Sequence, residues 1–512
     1  MRPYLWAGIT ALCILPSIGL AQDNTDPLSA IDWLSDVIRA PQAPIVAPEV
    51  SVVEDASPSQ IVTTPLGQVK LDAVGLLPPS VTGVPASFWG NSSTSELQAL
   101  ILSQRTDLLP PLSAFLKRLM LAELTPPPDS NANGGLFLAR VDKLLDMGAL
   151  EEARALVERA GPNTPELFRR WFDVNLLTGL EDQACRVMLA KPEIAPTYPA
   201  RIFCLARGGD WPAAALTLNT AQLLGLINSE EDALMARFLD PDLFEGEPPL
   251  PTPERLTPLA FKMHSAIGEP LSLSTLPNAF AFAALAPTEG WKQRITASER
   301  LTRSGAVTPT QLMAAYKERS PAASGGVWDR AEAIQAFDAA ILAKDVQKVS
   351  ALLSKTIRPM RRAGLEAAFA SVYGERLARI PLTGDAQREG IRIELLSESY
   401  EAVAKSKRLP EDTPKLWIEV ATGNVTPDLP NDQIQAAIVR AFTNQSSPSE
   451  FDALFADKKF GEIALKALIL LQDGTDAAPA DIEVGLQLLS KLGLQDIARR
   501  TALHILIMRP HA

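Results

Sequence analysis

The spacing of two cysteines gives the most direct prediction of chemistry in this chain. Cys185 and Cys204 lie 19 residues apart, and helical patterns at 181–191 and 200–206 flank a proline-containing connection between them. An antiparallel pair of such helices would bring the two thiols level with each other. A disulfide is therefore predicted, which would stabilise the fold by about 3 kcal/mol through loop closure. The alternative is a pair of buried, unpaired thiols.

The three histidines do not form a metal-ligand pattern. His264, His504 and His511 are far apart in sequence, and none lies near a cysteine pair. Zinc sites need several such ligands at short, regular spacings. No metal site is predicted.

A cluster of glutamates is the strongest candidate for acid–base chemistry. The segment ELLSESYEAV contains Glu394, Glu398 and Glu401. Glu394 and Glu398 are four residues apart and would share one face of a helix. An exported enzyme that cleaves cell-wall glycan needs such a carboxylic acid with a raised pKa. The pattern nevertheless favours a solvated helix face, and no catalytic residue is assigned.

A basic segment is a candidate contact for an anionic partner, and the sequence lacks the common nucleotide-binding motifs. KTIRPMRRAG gathers Lys355, Arg358, Arg361 and Arg362, which could bind an anionic partner, although ion pairs with nearby acids are favoured. The sequence contains no H-E-x-x-H, G-x-S-x-G, phosphate-loop or dinucleotide motif. No cofactor is predicted.

The first 21 residues have the organisation of a secretory signal peptide. Arg2 precedes the apolar run LWAGITALCILPSIGL, which includes Cys13, and Gly19 and Ala21 are small residues at the −3 and −1 positions. The run is short for a membrane helix, which needs about 20 residues. We predict cleavage after Ala21 and a periplasmic protein without a membrane span. Retention as an uncleaved anchor is the alternative.

The charge balance argues against nucleic-acid binding. The chain has 48 Lys and Arg against 60 Asp and Glu, which gives a formal net charge of −12. An acidic chain without a dense basic stripe repels a phosphate backbone. The low lysine content suits a Gram-negative bacterium.

A glycine turn followed by a helix with alanine five residues after the glycine recurs along the chain. The first three glycines are 31 and 29 residues apart, which is the length of one helix–turn–helix unit. Glycine permits the turn and alanine permits close helix packing. The pairs are Gly148 and Ala153, Gly179 and Ala184, Gly208 and Ala213, and Gly493 and Ala498. This placement resembles tetratricopeptide-type helical-hairpin repeats over residues 137–240 and 461–508.

Apolar spacing and this resemblance predict an all-α fold, an α-solenoid-like array of helical hairpins. We expect a helical-repeat block with the disulfide at 93–240, a proline-interrupted helical segment at 241–330 and a C-terminal helical block at 331–512. A proline-rich, largely irregular arm at 22–92 should precede them. Within it, Phe88 and Trp89 should lie against the first helices, because they would be costly to leave in water.

The arm also carries a candidate partner-binding segment. Residues 29–38, SAIDWLSDVI, predict a short amphipathic helix. A helix of this kind on a solvated tether is typical of partner binding, and folding back as a cap on the array is the equal alternative. Its apolar residues are Ile31, Trp33, Leu34, Val37 and Ile38.

These features favour an exported periplasmic scaffold that binds protein partners of the cell envelope, for example in a secretion or motility complex. Each unit of a repeat stack buries one face on its neighbour and presents another. An enzyme acting on peptidoglycan would instead need a deep polar cleft with a buried glutamate. A carrier of a small ligand or a lipid would need a closed apolar cavity between helices.

Overall fold

The computed structural model describes residues 70–444 and 449–509. In these ranges the chain forms α-helices and short 3₁₀ helices without β-strands, which confirms the predicted all-α fold. Most helices that are consecutive in the chain pack against each other, as in an array of helical hairpins. The α-helices are α1 Pro79–Thr82, α2 Thr94–Leu102, α3 Pro110–Leu121, α4 Gly135–Met147, α5 Leu150–Ala160, α6 Pro165–Thr178, α7 Glu181–Ala190, α8 Tyr198–Arg207, α9 Trp211–Leu223, α10 Ser229–Leu239, α11 Pro258–Ala266, α12 Asn278–Ala283, α13 Trp291–Arg303, α14 Pro309–Lys317, α15 Val327–Leu342, α16 Val346–Arg362, α17 Glu366–Leu377, α18 Gly384–Leu395, α19 Tyr400–Ala404, α20 Lys415–Thr422, α21 Gln433–Thr443, α22 Asp452–Ala456, α23 Phe460–Leu470, α24 Pro479–Lys491 and α25 Gln495–Met508. The 3₁₀ helices are Leu71–Ala73, Pro192–Ile194, Pro241–Phe244, Ser449–Phe451 and Gly474–Asp476.

Left-handed glycines close the first two hairpins of the predicted series. Gly148 and Gly179 have φ angles of +81° and +76°, a conformation that a residue with a side chain adopts only at a cost. In both turns the next amide donates to a carbonyl five residues earlier, which satisfies the end of the first helix. Ala153 and Ala184 are completely buried where the second helix packs on the first.

The third hairpin has the predicted turn, but the turn is shifted by one residue along the chain. Gly208 keeps a helical φ of −72°, and Gly209 takes the left-handed position with φ +85°. Ala214 is accordingly the completely buried alanine, whereas Ala213 is partly exposed. The predicted pair of Gly208 and Ala213 was therefore wrong by one position. Two adjacent glycines are equally permissive locally, and helix packing decides which of them turns.

Two lysines occupy the same turn position elsewhere in the array. Lys344, between α15 and α16, has φ +53°, and Lys458, between α22 and α23, has φ +57°. Their turns repeat the hydrogen bond from the following amide to a carbonyl five residues earlier. The buried side chains five residues after them are Val349 and Ile463. The hairpin turn is thus more frequent than the glycine pattern indicated, because packing imposes it on lysine as well.

The two ends of the described chain pack on each other. Helix α2 contacts α23, and α3 contacts α25. The amide of Gly461 donates to the Phe88 carbonyl at 2.7 Å, and the Gln104 side-chain amide donates to the Leu465 carbonyl at 3.0 Å. Trp89 is completely buried. Residues of the predicted arm from 70 onward therefore belong to the folded body and close the array.

Arg140 joins three elements at the start of this body. Its guanidinium is completely buried and donates to the carbonyl oxygens of Met120, Ala122 and Val74 at 2.8, 2.8 and 2.9 Å. Met120 and Ala122 lie at the end of α3, where backbone carbonyls have no helical partner. Burial lowers the pKa of Arg140 to about 10, against the raising influence of the Asp72 carboxylate. The side chain therefore stays charged at neutral pH.

One apolar core runs through all three predicted helical blocks, from Val74 to Ile507. Within the described ranges, no helix combines the length and the apolar character needed to cross a membrane.

Replacing Arg140 with methionine should strongly destabilise the protein. We expect the free energy of unfolding to fall by about 3–5 kcal/mol, because several buried carbonyls lose their donor. Urea denaturation followed by circular dichroism measures this difference. Arg159→Met, at an exposed position on α5, is the matched control and should change stability by less than about 0.5 kcal/mol. Equal losses in the two variants would contradict the role assigned to Arg140.

Replacing Lys344 with glycine should stabilise the protein. The left-handed backbone costs lysine about 1–2 kcal/mol, and the greater freedom of glycine in the unfolded chain offsets part of this. We expect a net gain of about 0.5–1 kcal/mol in the free energy of unfolding, measured by urea denaturation. The control Lys355→Gly lies inside α16 and should lose about 1 kcal/mol. A loss of stability in both variants would refute the explanation.

Candidate functional site

The predicted disulfide is present and joins two successive hairpins. The sulfur atoms of Cys185 and Cys204 are 2.00 Å apart and their Cα atoms 5.0 Å apart, and both residues are buried. Cys185 lies on α7, the second helix of the hairpin that Gly179 closes. Cys204 lies on α8, the first helix of the next hairpin. The bond therefore fixes one hairpin to the following one.

Helix α9 packs directly on α8 and exposes large apolar side chains on its outward side, with the exposed Asn219 and Thr220 between them. Ala214, Leu218 and Ala221 form its buried side, against α8 and α10. Leu216 and Leu223 lie seven residues apart, two helical turns, and therefore share the other side. Their exposed fractions are 68% and 88%. Large apolar side chains on the outside of a helix are unfavourable in water.

The exposed apolar side chains continue past the end of α9 without interruption by charge. Leu224 is 64% exposed, and Trp211 at the start of the helix is 47% exposed. No residue from Trp211 to Asn228 carries a charge. We call the surface around Leu216, Leu223 and Leu224 the α9 outer face, which also contains the exposed Asn219 and Thr220. Exposed apolar surface of this kind marks contact sites for other molecules.

Sequence reasoning missed the α9 outer face, although a signal for it was present. The segment WPAAALTLNTAQLLGL carries no charged residue and lacks the continuous polar side that a surface helix normally shows. The alanine five residues after the glycine is Ala213, one position from the buried Ala214, and this pattern gives no information on the outer side of α9.

A small cavity of about 80 Å³ lies between α6, α8, α10 and α11, with Asp173 and Met235 among its lining residues. Asp173 lies on α6, 3.9 Å from the Arg169 guanidinium. Burial raises the pKa of Asp173 to about 7, although Arg169 and Arg170 act in the opposite direction. Arg170 is instead held by two hydrogen bonds to the Asp142 carboxylate, at 2.6 and 2.8 Å. Asp173 is therefore a buried carboxyl group that titrates near neutral pH.

The candidate partner-binding residues of the arm lie outside the described residues. The segment 29–38 thus stays a prediction, both as a contact for a partner and as a cap on the array. Its residues are Ile31, Trp33, Leu34, Val37 and Ile38.

The three candidate glutamates have different environments. Glu394 lies on α18, whereas Glu398 follows the end of that helix. The prediction that the two glutamates share one helix face was therefore wrong. Glu394 is 1% exposed and accepts a hydrogen bond from Arg408 at 2.7 Å. The interpretation as a solvated face was therefore wrong for Glu394, while Glu398 is exposed and Glu401 partly exposed. Burial raises the pKa of Glu394, against the lowering influence of Arg408.

The two described histidines are buried singly in the core. His264 and His504 are 1% and 2% exposed, and desolvation lowers the pKa of His504 to about 3. His511 lies outside the described residues. Across residues 70–444 and 449–509, no three His, Cys, Asp or Glu side chains group as metal ligands.

The helices and their turns define this chain as an all-α protein rich in helical hairpins. Comparison with models of protein families, with curated proteins and with solved structures gave no match. Beyond this general fold, the resemblance to tetratricopeptide-type repeats therefore rests only on the glycine and alanine positions of this chain.

Asp173 should give stability a measurable pH dependence. In the unfolded chain its pKa is about 3.9, so between about pH 4 and the folded-state pKa of about 7 the folded protein binds more protons. The free energy of unfolding attributable to this group falls as pH rises through that window, by about 1 kcal/mol per pH unit. Asp173→Asn should therefore gain stability relative to wild type between pH 4 and 7 and keep a constant difference above pH 7.

Urea denaturation at several pH values tests this prediction. Asp182→Asn is the control, because Asp182 is exposed and its hydrogen bond from Arg207 lowers its pKa. Its difference from wild type should change little and in the opposite direction. A difference between Asp173→Asn and wild type that is flat from pH 4 to 8 would show that Asp173 is ionised in the fold throughout that range.

Proposed function

We propose that the chain is an exported helical-repeat scaffold of the periplasm, and that its α9 outer face binds an apolar helix of a protein partner. The uncovered apolar side of α9 is the observation that carries this proposal. An amphipathic or apolar helix of a partner would bury Leu216, Leu223 and Leu224 in the manner of helix-in-groove recognition. About 25 cal/mol is gained for each Å² of apolar surface that such a contact removes from water.

The disulfide supports both parts of the proposal. Disulfides form and persist in oxidising compartments such as the bacterial periplasm, and the first 21 residues have the pattern of a cleavable signal. The bond between Cys185 and Cys204 also fixes α8 to α7. Because α9 packs on α8, its outer face is presented from a rigid support, which lowers the ordering cost of binding.

The lack of charge around α9 favours a protein over a membrane surface as the partner. Helices that lie on membranes carry Lys and Arg on their polar side to bind anionic lipids. The stretch from Trp211 to Asn228 has no basic residue, and the whole chain has a net charge of −12. The expected partner surface is therefore uncharged, with apolar side chains opposite Leu216 and Leu223 and small polar groups opposite Asn219 and Thr220.

The glycine and alanine placement that resembles tetratricopeptide-type repeats agrees with a scaffold, since repeat arrays of this kind commonly bind peptides and proteins. The arm segment 29–38 supplies a second candidate contact, with the same partner or with another one. We place the partner in the cell envelope, in keeping with the proposed export.

Site-specific photo-crosslinking in intact cells tests the proposal. A photoreactive amino acid replaces Leu216 or Leu223, and in the control it replaces Leu342, which is 70% exposed on α15. We expect the same crosslinked protein from positions 216 and 223, identified by mass spectrometry, and not from position 342. Leu223→Glu should abolish co-purification of that protein without lowering stability, and Leu342→Glu should leave co-purification unchanged. Lipid adducts at 216 and 223, or no adducts above the control, would overturn the proposal.

A further inference from the structure

A cleft of about 530 Å³ with both polar and apolar lining lies between α16, α18 and the segment that leads into α20. Cavities of about 300–1,000 Å³ are typical of small-molecule sites. None of the elements that form the cleft contributes to the α9 outer face. The cleft is therefore a separate surface from the proposed protein-binding site.

One wall of the cleft presents unpaired polar groups in a row. Ser350, Ser354 and Arg358 are spaced by four residues on α16 and share one helix face. Within the described residues, none of these three side chains makes a hydrogen bond or an ion pair with another protein group. Arg361, from the same basic segment, is instead held by two hydrogen bonds to the buried Glu366 carboxylate, at 2.8 and 2.7 Å. In this segment Arg361 is therefore held by the fold, whereas Arg358 is available to bind a ligand.

Each charged residue of the facing wall has an ion-pair neighbour, but the carboxylates share their arginines, so negative charge is in slight excess there. Arg388 pairs with Asp385 and lies 3.6 Å from Asp412. Glu389 pairs with Arg361 at 2.5 Å. These carboxylates can still accept hydrogen bonds from hydroxyl groups of a ligand through their free lone pairs.

Arg392 completes the charged lining of the cleft and lies 3.6 Å from the buried Glu366 carboxylate. Among the charged residues that line the cleft, all of them described, Arg358 is the one without a counter-ion. The cleft therefore offers one positive charge to a ligand, together with hydroxyl donors and several carboxylate acceptors.

The third wall supplies an aromatic side chain. Trp417, at the start of α20, is half-buried and lines the cleft beside Thr413 and Pro414. Neither the Trp417 indole N–H nor the Thr413 hydroxyl has a partner among the described residues. An indole combines apolar surface with a single donor, which suits a ring that has an apolar C–H face and a polar rim.

We propose that this cleft binds an acidic saccharide, with a ligand carboxylate at Arg358, ligand hydroxyls at the serines and the facing carboxylates, and a sugar ring against Trp417. Arginine recognises carboxylates through a planar pair of donors. A sugar acid has one negative charge, several hydroxyls that both donate and accept, and an apolar ring face. These properties match the single charge, the donors and acceptors, and the aromatic surface of the cleft.

A carboxylate fits the cleft better than a phosphate does. A phosphate monoester carries a charge of about −1.5 to −2 at neutral pH. The second charge would face Asp385, Glu389 and Asp412, and like charges at close range are unfavourable. Only one positive charge is available to compensate the ligand.

Titration of the purified protein with four probes tests the proposal. Galacturonate and glucuronate are the acidic saccharides, glucose is the neutral one, and glucose 6-phosphate carries the phosphate. Saturation-transfer NMR and isothermal titration calorimetry measure binding. We expect saturable binding of at least one uronate, and at least tenfold weaker binding of glucose and glucose 6-phosphate.

Two arginines on the same helix provide matched variants. Arg358→Gln should weaken uronate binding at least tenfold, because a charged hydrogen-bond pair is lost. Arg362→Gln removes an exposed arginine four residues further along that does not line the cleft, and it should change binding less than twofold. Trp417→Leu should also weaken binding, while Arg358→Gln in that background should weaken it further.

Several results would overturn the proposal. These are equal binding of glucose and the uronates, tighter binding of glucose 6-phosphate, equal effects of the two arginine variants, or no saturable binding of either uronate. Circular dichroism spectra identical to wild type would establish that each variant is folded. Failure here would leave the α9 proposal intact, since crosslinking at Leu216 and Leu223 reports on different helices.

Discussion

The contact between Trp89 and Gly461 closes the helical array. The Trp89 ring occupies the space that a side chain at residue 461 would need, since a Cβ atom there would come within 2.3 Å of it. Terminal units of a repeat array normally leave an apolar end face that needs a cap. Here α2 and α3 pack on α23 and α25, and Gln104 adds a hydrogen bond to α23. The continuous core depends on this closure, because without it two apolar ends would face water.

The array buries the apolar surface at its two ends, but the outer side of α9 remains exposed. The disulfide between Cys185 and Cys204 holds successive hairpins together beside this helix, so the local structure is tightly constrained while Leu223 remains 88% exposed. A constrained apolar surface avoids most of the ordering cost that a flexible one pays on binding. The α9 outer face differs in this respect from Leu342. Leu342 is an isolated exposed leucine of the kind that most protein surfaces carry.

Buried charges in this protein are consistently placed beside partners. Arg140 is held by backbone carbonyls, Glu366 by Arg361, and Glu394 by Arg408. Such pairs stabilise little in themselves, but removing one partner leaves a costly buried charge. Asp173 also has a neighbour, Arg169 at 3.9 Å, yet its burial raises its pKa to about 7. Arg358 is exposed and lines an open cleft without a counter-ion among the described residues.

Local rules in the sequence determined the all-α fold, the glycine turns at Gly148 and Gly179, and the disulfide, because each depends on residues close together in the chain. The choice of Gly209 over Gly208 and the left-handed Lys344 were not predictable, since helix packing imposes them against or beyond local preference. The burial of Glu394, the closure at Trp89 and the cleft around Arg358 were decided only by tertiary structure. Each of them brings together groups that are not adjacent in the sequence. The spacing of apolar residues predicts which face of a helix is buried, but it does not predict which neighbour covers that face.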